Sequence, residues 1–272
     1  MKKLMLTLIL SLANTSQATI KVAVIDTGYD QTSTWSNAYK IGLTQPKLCP
    51  SGHYDFVLNN ANTIDNHGHG THIAGIIAKG NERIDYCLVI LKYYDPKVPN
   101  TDNLKNSIAA YKKAIELGVD IINYSGGGTE RSEEECTLMK QALDKGIVVV
   151  AAAGNERSDL DKHPYYPALC DSRINVVGSI DASGERLPSS NWSSELYSVT
   201  YKLGQNILSL LPHDSFGYMT GTSQATAKVT SLFVKQIDEV NKFYRDGLAK
   251  CPESFIENLV CQMHIDNVRS CK

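Results

Sequence analysis

Short runs of β-branched and aliphatic residues recur along this chain, and the stretches between them carry a helical hydrophobic period. Val22 to Ile25, Leu88 to Leu91, Val119 to Ile122, Ile147 to Ala153 and Ile174 to Val177 are largely apolar segments with the length and composition of buried strands. Leu104, Ile108, Tyr111 and Ile115 share one face of a helix predicted over Leu104 to Leu117, which stops before Gly118. A second helix, Glu133 to Lys145, opens with a Ser132-x-x-Glu135 capping box and stops before Gly146. Ile73 to Ala78, closed by Gly80, reads as a buried helix. Ala225, Val229, Leu232, Phe233, Ile237 and Val240 mark a longer one with Ser223 in its first turn. Strand and helix in alternation predict an α/β fold with a mostly parallel sheet covered on both faces. No repeat, low-complexity tract or Pro/Ser-rich linker divides the chain, so one domain is expected. Past Val240 the pattern weakens, and Pro252 to Met263 reads as a short helix held by cysteines.

Three polar residues fall at the ends of these elements. Asp26 stands where the run Val22-Ala23-Val24-Ile25 stops, beside the turn residue Gly28, which puts a carboxylate at a strand's C-terminal end. His69, in Gly68-His69-Gly70-Thr71-His72, sits at the entrance to the buried helix. Ser223, in Gly221-Thr222-Ser223-Gln224-Ala225-Thr226-Ala227, sits at a helix N-terminus, where free N–H groups and the dipole favour developing negative charge. Alone, Asp26 is an ordinary turn residue and Ser223 an ordinary cap. Their joint occurrence with His69 and with Asn155, which follows a strand end in Ala151-Ala152-Ala153-Gly154-Asn155, is not ordinary. Sheets of this kind bind ligands at the strands' carboxyl ends, where Asp26 and Asn155 fall. His67, His69 and His72 lack the His-x-x-x-His spacing and the further ligands of a closed zinc site, so no metal is assigned. His163, His213, Asp65 and the run Glu133 to Glu135 are read as surface or capping residues.

Together the four segments resemble the subtilisin-like serine proteases, the subtilase family, over about Ile20 to Gln236. The resemblance implies that family's three-layer fold and a catalytic triad of Asp26, His69 and Ser223. It also implies an oxyanion hole containing Asn155, and peptide substrates bound by Ser125, Gly126, Gly127, Ala152 and Gly154. A bulky residue is usual where Gly126 stands, so the adjoining pocket is expected to be wider. Gln224, Ala227 and Lys228 replace the usual methionine, proline and histidine around the serine, and Tyr29-Asp30-Gln31-Thr32 departs from the usual aspartate segment. No organic cofactor is required, and structural calcium, which relatives often bind, is left unassigned. Comparable bridges in secreted relatives imply the pairs Cys49 with Cys87 and Cys136 with Cys170, leaving Cys251, Cys261 and Cys271 to give one more pair and a free thiol. The implied activity is a serine endopeptidase acting through an acyl-enzyme. The rival readings are a non-catalytic peptide-binding or decoy protein on the same scaffold, and an esterase or peptide ligase sharing the acyl-enzyme.

The remaining features concern location. Lys2 and Lys3, the apolar run Leu4 to Leu12 and Ser16-Gln17-Ala18 have the form of a signal peptide over residues 1–18, shorter than the ~20 residues of a membrane span. Its removal from 272 residues would leave 254, residues 19–272, and would move the formal charge from −2 to −4. No membrane span is expected after removal, and without a basic patch no nucleic-acid partner. Seven cysteines, all beyond residue 18, fit an oxidising compartment, so a secreted or periplasmic location is expected. Only Thr19 to Lys21 separate the expected cleavage point from the first strand, where relatives carry a long propeptide. The chain is therefore expected to fold unaided or with a separate folding or inhibitory partner.

Overall fold

The structure is a computed structural model that describes residues 19–245. Residues 1–18, the helix read at 252–263, and Cys251, Cys261 and Cys271 lie outside the described residues.

Its strands are β1 (Ile20–Asp26), β2 (Tyr54–Asp55), β3 (Tyr86–Lys92), β4 (Ile121–Tyr124), β5 (Val148–Ala152), β6 (Asn175–Ile180), β7 (Thr200–Leu203), β8 (Ile207–Leu211) and β9 (Ser215–Met219). The helices are α1 (Ser36–Lys40), α2 (His69–Ala78), α3 (Asn103–Glu116), α4 (Glu133–Asp144) and α5 (Thr222–Arg245). Seven strands pair in parallel in the order β2-β3-β1-β4-β5-β6-β7, and β8 with β9 forms a separate antiparallel hairpin.

Strand alternation assigns each side chain of β1 to a layer. Ile20, Val22 and Val24 join Ile73 and Ile77 of α2 and Phe233 and Val234 of α5 in one core. Ala23 and Ile25 join Ile108 and Tyr111 of α3 and Leu138 and Met139 of α4 in the other. The result is the predicted three-layer α/β arrangement. Burying each large aliphatic side chain contributes on the order of 1.5–3 kcal/mol, so a one-residue slip of β1, which would exchange its two faces, is strongly disfavoured.

The structure adjusts the predicted boundaries for a local reason. Val119 and Ile147, read as strand, instead close the helices before them: Val119 N–H donates to the Ala114 carbonyl (3.4 Å) and Ile147 N–H to the Ala142 carbonyl (3.0 Å). Gly118 and Gly146 have φ of 57° and 79°, the left-handed turn such a helix end requires. At the start of α4 only half of the capping box forms. Ser132 Oγ accepts from Glu135 N–H (3.3 Å), but the Glu135 carboxylate turns inward, where it accepts from Ser107 Oγ (3.4 Å).

Both implied disulfides are present. Cys49–Cys87 joins the loop before β2 to β3, and Cys136–Cys170 joins α4 to the loop before β6, each with Cα atoms 4.8 Å apart.

Candidate active site

The C-terminal end of β1 and the start of α2 approach so closely that only glycine fits. A Cβ on Gly70 would overlap the Gly28 carbonyl oxygen and lie 3.2 Å from Asp26 Oδ1. That approach brings His69, the first residue of α2, onto Asp26. His69 Nδ1–H donates to Asp26 Oδ1 at 2.7 Å, and the same oxygen accepts from Thr27 N–H at 2.7 Å. Asp26 is 3% exposed and the His69 side chain 21%, so the carboxylate is shielded while the ring reaches the surface. Burial disfavours the charged ring, but the Asp26 charge and hydrogen bond, with the Asp65 charge behind them, outweigh it. The His69 pKa consequently lies above the ordinary histidine value.

Asp65, read from sequence as a surface or capping residue, is buried and organises this junction. Its Oδ1 accepts from Thr27 Oγ1 (2.9 Å), His67 N–H (2.9 Å) and Gly68 N–H (2.8 Å), and its Oδ2 from Thr71 N–H (2.8 Å) and Thr71 Oγ1 (2.7 Å). Thr27 Oγ1 in turn accepts from Gly70 N–H (2.8 Å), which ties β1 to α2 directly beside Asp26 and His69. Burial raises the Asp65 pKa, but these hydrogen bonds more than compensate and leave it below the ordinary carboxylate value.

Of the other histidines in the segment, His67 is exposed and His72 is fully buried. His72 Nε2–H is shared between the carbonyls of Ile207 (3.0 Å) and Gly217 (3.2 Å), pinning the β8–β9 hairpin to α2. Burial pushes its pKa down to about 4, with those two hydrogen bonds acting in opposition.

Ser223 lies in the first turn of α5 and is 8% exposed. Its hydroxyl donates to the Ser125 carbonyl at 3.1 Å. Asn155 is exposed, and its Oδ1 accepts from Thr222 N–H (3.0 Å), so the amide is fixed against the start of α5. The loop that carries it is laced by the side chain of Asn191. The buried Asn191 donates to the Ala153 carbonyl (2.9 Å) and Glu156 Oε2 (2.7 Å), and accepts from Glu156 N–H (3.0 Å) and Ser158 N–H (2.9 Å). Gly154 turns this loop at φ 97°, and Ala152 ends β5.

Ser125, Gly126 and Gly127 leave the end of β4. Among the described residues Gly126 and Gly127 make no backbone hydrogen bond, whereas Gly128 exchanges two with Tyr166 (2.9 and 2.7 Å). Unpaired backbone of this kind can accept an added strand. The wider pocket expected from Gly126 is qualified by its neighbours: a Cβ there would run into the Tyr93 hydroxyl, so tyrosine occupies part of the space a bulky side chain would fill. A cavity of about 550 Å³ nevertheless opens further along, against Gly127 and Gly128.

A model of the subtilase family matches residues 17–248. The chain belongs to the subtilase family. It is 36% identical over 217 residues to subtilisin amylosacchariticus of Bacillus subtilis subsp. amylosacchariticus, covering 77% of this chain but only 53%, about half, of that relative's length. It is 33% identical over 222 residues to subtilisin DY of Bacillus licheniformis, covering 78% of this chain and 74% of the relative. Among solved structures, a cold-adapted subtilisin-like serine proteinase aligns with a TM-score of 0.65 and 25% identity over 80% of this chain and 76% of that one. In this subtilase the substitutions around Ser223 are absorbed by packing. Gln224 is buried, its Nε2 3.8 Å from Met219 Sδ, and Ala227 joins the core. Lys228 sits half-buried near Lys79 and Lys202, and burial followed by those two charges lowers its pKa.

Proposed function

We propose that this subtilase is a serine endopeptidase that cleaves peptide bonds through an acyl-enzyme at Ser223. The observation that carries the reading is the 2.7 Å bond from His69 Nδ1–H to the shielded Asp26 carboxylate. That bond leaves Nε2 as the basic nitrogen and holds the ring in one tautomer. His69 takes the hydroxyl proton as Ser223 Oγ attacks the scissile carbonyl. It then returns the proton to the leaving amine, and water hydrolyses the ester by the same exchange. The Asn155 side-chain amide and the Ser223 N–H at the head of α5 receive the oxyanion, where the helix dipole adds to both. The Ser223 hydroxyl donates to the Ser125 carbonyl, and it turns to His69 for the proton transfer when peptide pairs with the Ser125–Gly127 backbone. The leader-like residues 1–18 and the two disulfides support export to an oxidising compartment.

Covalent labelling with a fluorophosphonate probe, read by intact mass, tests the reading. The full chain is expected to gain one adduct and Ser223→Ala none; a folded chain that stays unlabelled would favour the non-catalytic alternative.

A further inference from the structure

Three consecutive glutamates open α4, and they have different fates. Glu133 binds Arg131 (2.6 Å) and Glu134 binds Lys112 (2.6 Å), both at the surface. Glu135 points the other way. It is 3% exposed, its carboxylate has a long hydrogen bond from Ser107 Oγ (3.4 Å), and it borders the cavity of about 550 Å³ against Gly127 and Gly128. None of the described residues lining that cavity is basic, and a second carboxylate, Glu130, stands exposed at its rim. Arg131 lies over the Tyr166 ring (5.5 Å) and is engaged by Glu133. A buried carboxylate without a cation is costly. Burial accordingly pushes the Glu135 pKa up to about 7, with the Ser107 hydroxyl opposing the shift.

We infer that Glu135 makes this cavity a receptor for a cationic side chain, lysine or arginine, of the bound peptide. The inference rests on the peptidase reading above and specifies its substrate. The position fits the path of a paired strand. Ser125 touches Ser223 and Gly128 borders the cavity, three residues on, which at about 3.3 Å per residue places the cavity roughly 10 Å from the nucleophile. A side chain within a few positions of the scissile bond can enter. There its charge meets the Glu135 carboxylate while its apolar stem lies among Tyr93, Tyr124 and Tyr166, which line the cavity.

The test is a scan of one lysine through the four positions on each side of the scissile bond of a fluorogenic peptide, with acetyl-lysine as the neutral comparison. One position is expected where lysine raises kcat/KM about 10- to 100-fold over acetyl-lysine, with the advantage lost in Glu135→Gln. Cleavage with no such position, or an advantage that survives Glu135→Gln, overturns the inference. The wild-type scan needs no variant, so it stands even if Glu135→Gln folds poorly. If no peptide is cleaved, the peptidase reading fails separately. Calorimetric titration of the same peptides into Ser223→Ala then decides the pocket, equal affinity for lysine and acetyl-lysine at every position being the refuting result.

Discussion

Replacing Asp65 by asparagine removes a charge that never touches substrate, yet it should disturb both the fold and the base. The amide oxygen of an asparagine at Oδ1 keeps the bonds from Thr27 Oγ1, His67 N–H and Gly68 N–H. Its NH₂ group then faces Thr71 N–H and the Thr71 hydroxyl, previously 2.8 and 2.7 Å from Oδ2. The hydroxyl can rotate and accept, but the Thr71 N–H loses its partner in a buried site, a cost of about 1–3 kcal/mol. Conversion of the three retained bonds from charge-assisted to neutral adds about 1 kcal/mol, for roughly 2–4 kcal/mol in all. Denaturant unfolding followed by the fluorescence of buried Trp35 reads this directly. Because the folded Asp65 pKa is depressed, its stabilisation is complete above the unfolded carboxylate value and disappears as pH falls through the folded one. The gap between wild type and variant should therefore close in strong acid. The Asp65 charge also helps to raise the His69 pKa, so the acid limb of kcat/KM should move to lower pH in the variant. A loss of stability under about 0.5 kcal/mol, or an acid limb that moves upward, would refute this account.

Asn155 makes one hydrogen bond to the start of α5 and is exposed, so Asn155→Ala should lower kcat by about 10²–10³ while the unfolding midpoint stays unchanged; near-normal turnover would remove it from the oxyanion hole. Gly70→Ala forces a methyl into the Gly28 carbonyl and should cost more than about 2 kcal/mol, with labelling at Ser223 reduced in whatever folds; an unperturbed variant would show that β1 and α2 can separate freely. His72 is neutral in the fold down to about pH 4, whereas an unfolded histidine protonates near 6.5. The unfolded state therefore binds the extra proton between those values, and His72 contributes stability that is lost as pH falls from about 6.5 to about 4. His72→Gln should flatten that part of the stability profile, and an unchanged slope would contradict the burial argument.

The parallel sheet, the helices α3 and α4, and the order of carboxylate, imidazole and hydroxyl along the chain were legible in the residue pattern. These rest on local periodicity, because a strand's alternation and a helix's apolar stripe are written within a dozen neighbouring residues. The weaker elements, α1, β7 and the β8–β9 hairpin, are short or half exposed and carry little such signal. The environment of the polar residues came instead from packing between distant segments. Asp65 and Asn191 look like loop residues until β1, α2 and the loop after β5 enclose them, and Glu135 satisfies a capping pattern while its carboxylate turns toward α3. A carboxylate's role depends on what surrounds it, and those surroundings come from segments tens of residues away: Thr27 to Asp65, Asn191 to Ala153 and Glu135 to Ser107. Periodicity tells the chain which faces to bury, but only long-range packing determines which charges are buried with them.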